Sequence, residues 1–404
     1  MGRLTRFAAS LVFLSVVVAP ASAQQTRTEQ IQQGRTEKAD HLHPYQPSKI
    51  ETFLFEVEDH LWVERLFNPP RGVFARVGDL PEGAGFAGGP AYRYSNHTVS
   101  FTVSTAISTR RYWELDGTLA FPLLASGRAF VEISGRRRDF PEEDFFGLGP
   151  ESRRSTRTNY AFRETSIDAS GGVSPTAWLS VAGAVEYMTP QLARGRDRRF
   201  PSIERLFSDS TAPGLQLQPD FMRVGARATV DYTDRPLGPR SGGRYIVSYD
   251  TYSDRDFDRY SFGRWNVDMQ QYVPIVRDAR TIALRAHVAS LTPNEGHEVP
   301  FYLQPTLGGA YSLRGLRPYR LRDRNLLLLQ AEYRWEVNAF LTGAIFYDAG
   351  KVAFRRRDLN LNDLTHDYGI GLRFGWTSGV AMRTEVAFGS GEGTRFVFRF
   401  DDVF

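Results

Sequence analysis

The residues with the most chemistry to offer lie in one late stretch, Leu307–Asn325, reading LGGAYSLRGLRPYRLRDRN. It carries Arg314, Arg317, Arg320, Arg322 and Arg324, with Gly308, Gly309 and Gly315 among them. A guanidinium presents a planar fork of donors that grips a carboxylate bidentately. Glycine lets a chain turn where other residues are strained. The stretch is therefore either a solvated arginine-rich loop or an anchor that seeks acids. Other combinations are weaker. Ser312, His297 and Asp323 supply the side-chain types of a hydrolytic triad, but no Gly-x-Ser-x-Gly elbow accompanies them, and no catalytic residue is assigned. Glu142-Glu143-Asp144 and Asp254, Asp256 and Asp258 read as solvated loop charge, not as cation sites. His41 and His43 stand in a polar segment without further ligands. The chain has no cysteine, which excludes disulfides and Cys-based zinc sites. No metal or cofactor is expected.

The elements that must position these residues begin with an export signal. Arg3 and Arg6 precede the apolar run Phe7–Val18, and Ala21-Ser22-Ala23 forms a small-x-small cleavage site, so residues 1–23 read as a signal peptide. The run is too short to span a bilayer. Gln24–Ser48 is polar and reads as disordered. Ile50, Phe53, Leu54, Val57, Leu61 and Leu66 share one helical face, so a short amphipathic helix is expected over 49–66, stopped by Pro69 and Pro70. Charge is nearly balanced, at 50 basic against 46 acidic residues, without the basic excess of a nucleic-acid binder.

From residue 72 onward the chain alternates. Phe396, Phe398, Phe400 and Phe404 share one parity, and Arg395, Arg399 and Asp401 the other. Ile370, Leu372, Phe374 and Trp376 oppose Arg373 and three glycines; Leu327, Leu329, Tyr333 and Trp335 oppose Gln330, Glu332 and Arg334. Successive side chains of a strand face opposite ways, so each strand has an apolar face and a charged one. Segments of about ten residues, aromatics at their ends (Tyr333, Trp335, Tyr368, Trp376) and a recurring charged face favour a membrane barrel with a polar lumen over a dry sandwich core. Fifteen strands are legible. Long connections at 139–153, 188–217, 292–324 and 351–366 all fall on one side, and the turns opposite are short. Both termini on the periplasmic side require an even count, which places a sixteenth strand near Gly72–Gly78. The expectation is an all-β protein of the outer membrane. It comprises a 16-stranded antiparallel transmembrane β-barrel over 72–404 and a disordered and helical extension over 24–71.

With that register, the chain resembles the BamA/TamA-type bacterial surface antigen family of outer-membrane barrels. Tyr311–Leu316 followed by Arg322–Asn325 is similar to the family's loop-six motif, and Phe346–Val352 (FYDAGKV) to its strand-thirteen motif. Asp231–Arg244 and Asp144–Gly149 are similar to a turn and a loop of the family, and Phe404 to its C-terminal assembly signal. The resemblance implies that the long loop turns into the lumen and that Arg314 meets Asp348. Parity places Asp348 with Thr342 and Phe346, and offers Glu332 as a second partner; Gly315 would let the chain turn. Two departures stand out. Leu316 occupies a position where the family has an aromatic, and only about 48 residues separate the signal from the barrel, too few for a POTRA domain. The implied function is membrane-protein insertion or outer-membrane biogenesis without such domains; a passive diffusion channel or a surface-recognition barrel is the alternative. The implied partners are outer-membrane lipid, lipopolysaccharide and, during its own insertion, the barrel assembly machinery; none is nucleic acid.

Overall fold

The computed structural model describes Pro69 and residues 71–404, apart from 79, 277–278, 339, 377–378, 390 and 401–402. The expected signal peptide, the polar segment with His41 and His43, and the helix expected over 49–66 lie outside the described residues.

Sixteen strands follow one another in chain order: β1 Gly72–Val77, β2 Ala87–Ser95, β3 Ser100–Ser108, β4 Trp113–Leu124, β5 Ala129–Phe145, β6 Thr158–Thr176, β7 Leu179–Arg194 and β8 Phe221–Asp231. They continue as β9 Gly242–Asp254, β10 Phe262–Val276, β11 Arg280–Pro293, β12 Asn325–Asn338, β13 Leu341–Ala353, β14 Thr365–Trp376, β15 Gly379–Gly389 and β16 Arg395–Arg399. Each pairs antiparallel with the next in a single sheet. This is the expected sixteen-stranded antiparallel barrel, with its first strand at Gly72–Val77. The sheet's two ends meet through side chains. Arg395 reaches Glu82 at 3.1 Å, Arg399 donates to the Leu80 carbonyl at 3.4 Å, and the Phe86 and Phe400 rings lie 6.5 Å apart.

The apolar parity faces outward: Ile345 and Tyr347 on β13, Tyr368, Ile370 and Leu372 on β14, and Phe396 and Phe398 on β16 are exposed. Polar side chains of the opposite parity, such as Glu332, Asp348 and Arg373, are buried inside. A lipid-facing exterior and a filled interior account for this division. Tyr333 and Trp335 stack at 5.9 Å near the end of β12. The side chain of Trp376 lies outside the described ones.

Three features depart from the sequence expectation. First, β5 runs to Phe145, with a bulge between Phe140 and Glu143, and β6 starts at Thr158. Glu142-Glu143-Asp144 therefore belongs to a strand and not to a solvated loop. Buried Glu143 accepts from the Tyr160 hydroxyl at 2.7 Å, and Asp144 pairs with Arg157 at 2.8 Å. With 17 and 19 residues, β5 and β6 are longer than a tilted bilayer crossing of about ten requires, so they project beyond it. Second, the lumen is not wholly polar. Ala289, Leu326, Leu328 and Val352 of the inner wall form a buried apolar cluster with Leu307, Leu313, Leu316 and Leu321 of the long loop. Third, the terminal phenylalanine leaves the shared aromatic face. Phe404 lies 6.4 Å from Tyr272, with the Arg334 and Arg285 guanidinium groups 5.3 and 5.8 Å from its ring.

Candidate functional site

The connection between β11 and β12 spans 294–324, and its leucines pack against the inner wall. Its limbs are joined by a two-pair ladder, Thr306 to Arg322 and Leu307 to Leu321, so the residues between form a closed tip. Gly308 and Gly309 take φ of +114° and +101°, a region that penalises any Cβ. The Gly309 amide donates to the Leu313 and Leu316 carbonyls at 3.2 and 3.1 Å, which coils the tip around Arg314. Gly315 serves a different purpose from the expected turn, since its φ is not positive. Its amide donates to Asp367 Oδ2 at 2.8 Å, and an added Cβ would stand 2.8 Å from Asp367 Cβ. Glycine is required there by close approach.

Arg314 is fully buried. Its Nε and Nη2 donate to the two oxygens of Asp348, each at 2.7 Å, a bidentate pair. Nη1 donates to Glu332 at 2.6 Å and to Glu385 at 3.0 Å. The guanidinium lies 3.4 Å from the Phe346 ring centroid. The acids come from three strands, β12, β13 and β15. Around them Arg373 and Arg334 reach Glu332 at 2.7 Å, and Arg383 reaches Glu385 at 2.5 Å. Four arginines thus face Glu332, Asp348 and Glu385, and charges this deep require such compensation. Leu316 enters the apolar cluster instead of stacking; Phe346 supplies the ring under Arg314.

The structure brings Arg314, Gly315, Asp348 and Glu332 together and adds Glu385, Asp367 and Phe346. Parity put Glu385 on the inner face, but its separation of 71 residues from Arg314 hid the contact. A second holding point was also unforeseen. Buried Arg322 donates to the Phe301 carbonyl at 2.8 Å and the Tyr160 hydroxyl at 3.4 Å, with the Phe145, Phe301 and Tyr319 rings within 6 Å. The Gly149 amide donates to the Arg322 carbonyl at 2.8 Å, joining the Asp144–Gly149 stretch to the loop. Arg320 binds Glu392 at 2.5 Å and the Ser152 carbonyl at 2.8 Å.

The paper triad has other employment. The Ser312 hydroxyl accepts from the Gly308 amide, His297 Nδ1 from the Ser261 amide, and Asp323 from the Arg324 amide. Asp254 accepts from the amides of Asp256, Phe257, Arg259 and Tyr260, which organises its own turn. Among the described residues no group of acids or histidines has the arrangement of a metal site.

Residues 191–401 match the Omp85 superfamily domain, just over half of the chain. The chain belongs to the Omp85 superfamily. Its barrel is similar to that of BamA from Haemophilus ducreyi lacking POTRA domains 1–3, with a TM-score of 0.61 at 14% identity, over 81% of this chain and 69% of that one. It is also similar to CdiB from Escherichia coli, with a TM-score of 0.51 at 12% identity, over 86% and 70%. At these identities the likeness is one of fold. No curated protein sequence matches the chain. As an Omp85 barrel, it is an outer-membrane protein. The matched region covers the loop, all four acids around Arg314 and the sheet's last strand.

Proposed function

We propose that this Omp85 barrel acts in membrane-protein insertion or outer-membrane biogenesis, with the 294–324 loop held in the lumen by Arg314 as a structural anchor. The observation that carries the reading is the bidentate Arg314–Asp348 pair, reinforced by Glu332 and Glu385, inside a lumen occupied by the loop. A barrel so filled suits work at its wall better than bulk passage through its centre. Among the described residues, β16 has five residues and pairs with β15 at five positions, a shorter ladder than the neighbouring β14–β15 pairing. Its partners on this reading are the surrounding lipid and lipopolysaccharide, an unfolded client and, during its own assembly through Phe404, the barrel assembly machinery. The test is the folding rate of a small client barrel in vesicles with and without the reconstituted protein. Acceleration that depends on the protein supports the reading; identical rates sink it.

A passive diffusion path is favoured by one observation. The lumen keeps a polar chamber of about 530 Å³, bordered by Leu303 of the loop, with Glu164, Glu186, Arg223 and Arg264 on its wall. Planar-bilayer recording separates the two readings. A large, steady, uniform conductance selects the channel, and small flickering events select the plugged barrel.

A further inference from the structure

On the same side of the barrel as the 294–324 loop, the ends of β3, β5 and β7 border a groove of about 910 Å³. Arg110 and Arg111 enter it from the β3–β4 turn, Arg194 from the end of β7, and Arg196, Arg198 and Arg205 from the loop that follows. The acids on its wall are Glu142 and Asp197. Asp197 is already taken by Arg199, which donates Nε and Nη2 at 2.9 and 2.8 Å.

The positive charge is poorly compensated. Arg194 and Arg196 approach Glu204 and Asp139 only at 4.0 Å, and Asp139 has its closer partner in Arg163 at 3.1 Å. Among the described residues, the structure shows no side-chain hydrogen bond or ion pair for Arg110, Arg111, Arg198 or Arg205.

The segment that carries most of these arginines is firmly fastened. Buried Asn159 donates to the carbonyls of Asp197, Phe200 and Pro201 at 3.1, 3.0 and 3.3 Å and accepts from the Asp197 amide at 3.1 Å. The Gly195 amide donates to Ser202 Oγ at 3.1 Å, and Arg157 lies 3.8 Å from the Phe200 ring centroid. Like charges carried on a fastened backbone around a concave wall raise the local positive potential, and that potential falls when an anion enters.

We propose that this groove binds a phosphorylated saccharide. Guanidinium forks match phosphate oxygens in pairs. The volume exceeds what a lone phosphate fills, and Pro141, Phe200 and Pro201 give the wall apolar surface for sugar rings. The phosphates can be borne by the head of an outer-leaflet glycolipid or by a free phosphosaccharide. The inference is independent of any insertion activity.

The test uses the full chain in phosphatidylcholine nanodiscs, titrated with a deacylated glucosamine disaccharide bisphosphate and with its phosphate-free counterpart. A second set of nanodiscs contains bisphosphorylated lipid A. The parent should bind phosphorylated probe, more weakly as salt rises. Replacing Arg194, Arg196 and Arg198 together by glutamine should weaken binding by roughly tenfold or more. Arg110→Gln with Arg111→Gln should act in the same direction, and Arg255→Gln on another loop should leave affinity unchanged. Heat-modifiable mobility confirms that each variant is a folded barrel. Binding of the soluble bisphosphate with no tighter binding to the lipid A discs assigns a free phosphosaccharide; binding confined to the lipid A discs, or tighter there, assigns the glycolipid head. The proposal is overturned if the parent binds neither form, if the phosphate-free disaccharide binds equally well, or if folded arginine variants bind like the parent.

Discussion

Replacement of Arg314 by alanine is the sharpest probe of the luminal loop. After the change, Glu332 keeps Arg334 and Arg373, and Glu385 keeps Arg383. Asp348 loses both guanidinium bonds and retains the Gln330 amide at 3.1 Å. The damage therefore concentrates on one fully buried carboxylate. Breaking one side of a buried pair costs about 3–5 kcal/mol. None of the backbone ladders between sheet strands includes residue 314, so the cost falls on loop seating. It raises the open population of the loop by roughly a hundredfold to several thousandfold. Where opening is fast relative to cleavage, proteolysis follows that population. Parent and variant, reconstituted and shown to be folded by heat-modifiable mobility, are exposed to external trypsin, and cuts within 308–324 are mapped by mass. Arg314→Ala and Asp348→Ala should each be cut faster, and the double variant should cost less than the two changes summed, because they share one interaction. Two folded variants as resistant as the parent would remove the anchor from the reasoning.

Other changes test the surroundings of that contact. Gly315→Ala drives a Cβ against Asp367 and should loosen the tip by about 1–3 kcal/mol, read as faster cleavage in the same assay. Leu313→Ala empties part of the luminal apolar cluster and should cost about 2–5 kcal/mol, measured as a lower urea concentration for exposure of the loop to protease. Ile370→Arg places a charge on the lipid face midway along β14 and should destabilise the barrel by about 2–4 kcal/mol. Unfolding from bilayers should show that loss with the loop still protected before the barrel melts.

The barrel was legible because each strand separates two different surroundings, and one parity of residues answers to each. Legibility failed where that contrast lapsed. Beyond the membrane the outer surroundings turn to water, so the ends of β5 and β6, including Glu143 and Asp144, read as loop. At Leu326-Leu327-Leu328-Leu329 both faces are apolar, since Leu326 and Leu328 meet the leucines of the inserted loop. That interruption of period was the available sign of a dry luminal patch. Glu385 carried the correct parity, but parity names a face and not a depth, and contact with Arg314 also requires a common level across β12, β13 and β15. Phe404 was misplaced because parity was carried past Arg399, where β16 ends.

The position of the acids bears on how the wall and the loop depend on each other. Asp348 stands opposite Gln330 on one neighbouring strand and opposite Asp367 on the other. Glu332 and Glu385 approach from β12 and β15 to reach the same guanidinium. Without the loop, Arg334, Arg373 and Arg383 would still serve Glu332 and Glu385. Asp348 and Asp367 would then face each other with neither the Arg314 guanidinium nor the Gly315 amide between them. Two ionised carboxylates in that relation repel, with only the Gln330 amide left on Asp348. The seated loop therefore supplies donors to both members of this facing pair. On the anchor reading, Arg314 holds the loop, and the loop in turn makes a charged inner wall tolerable on the strands that lie between β12 and the sheet's final hairpin.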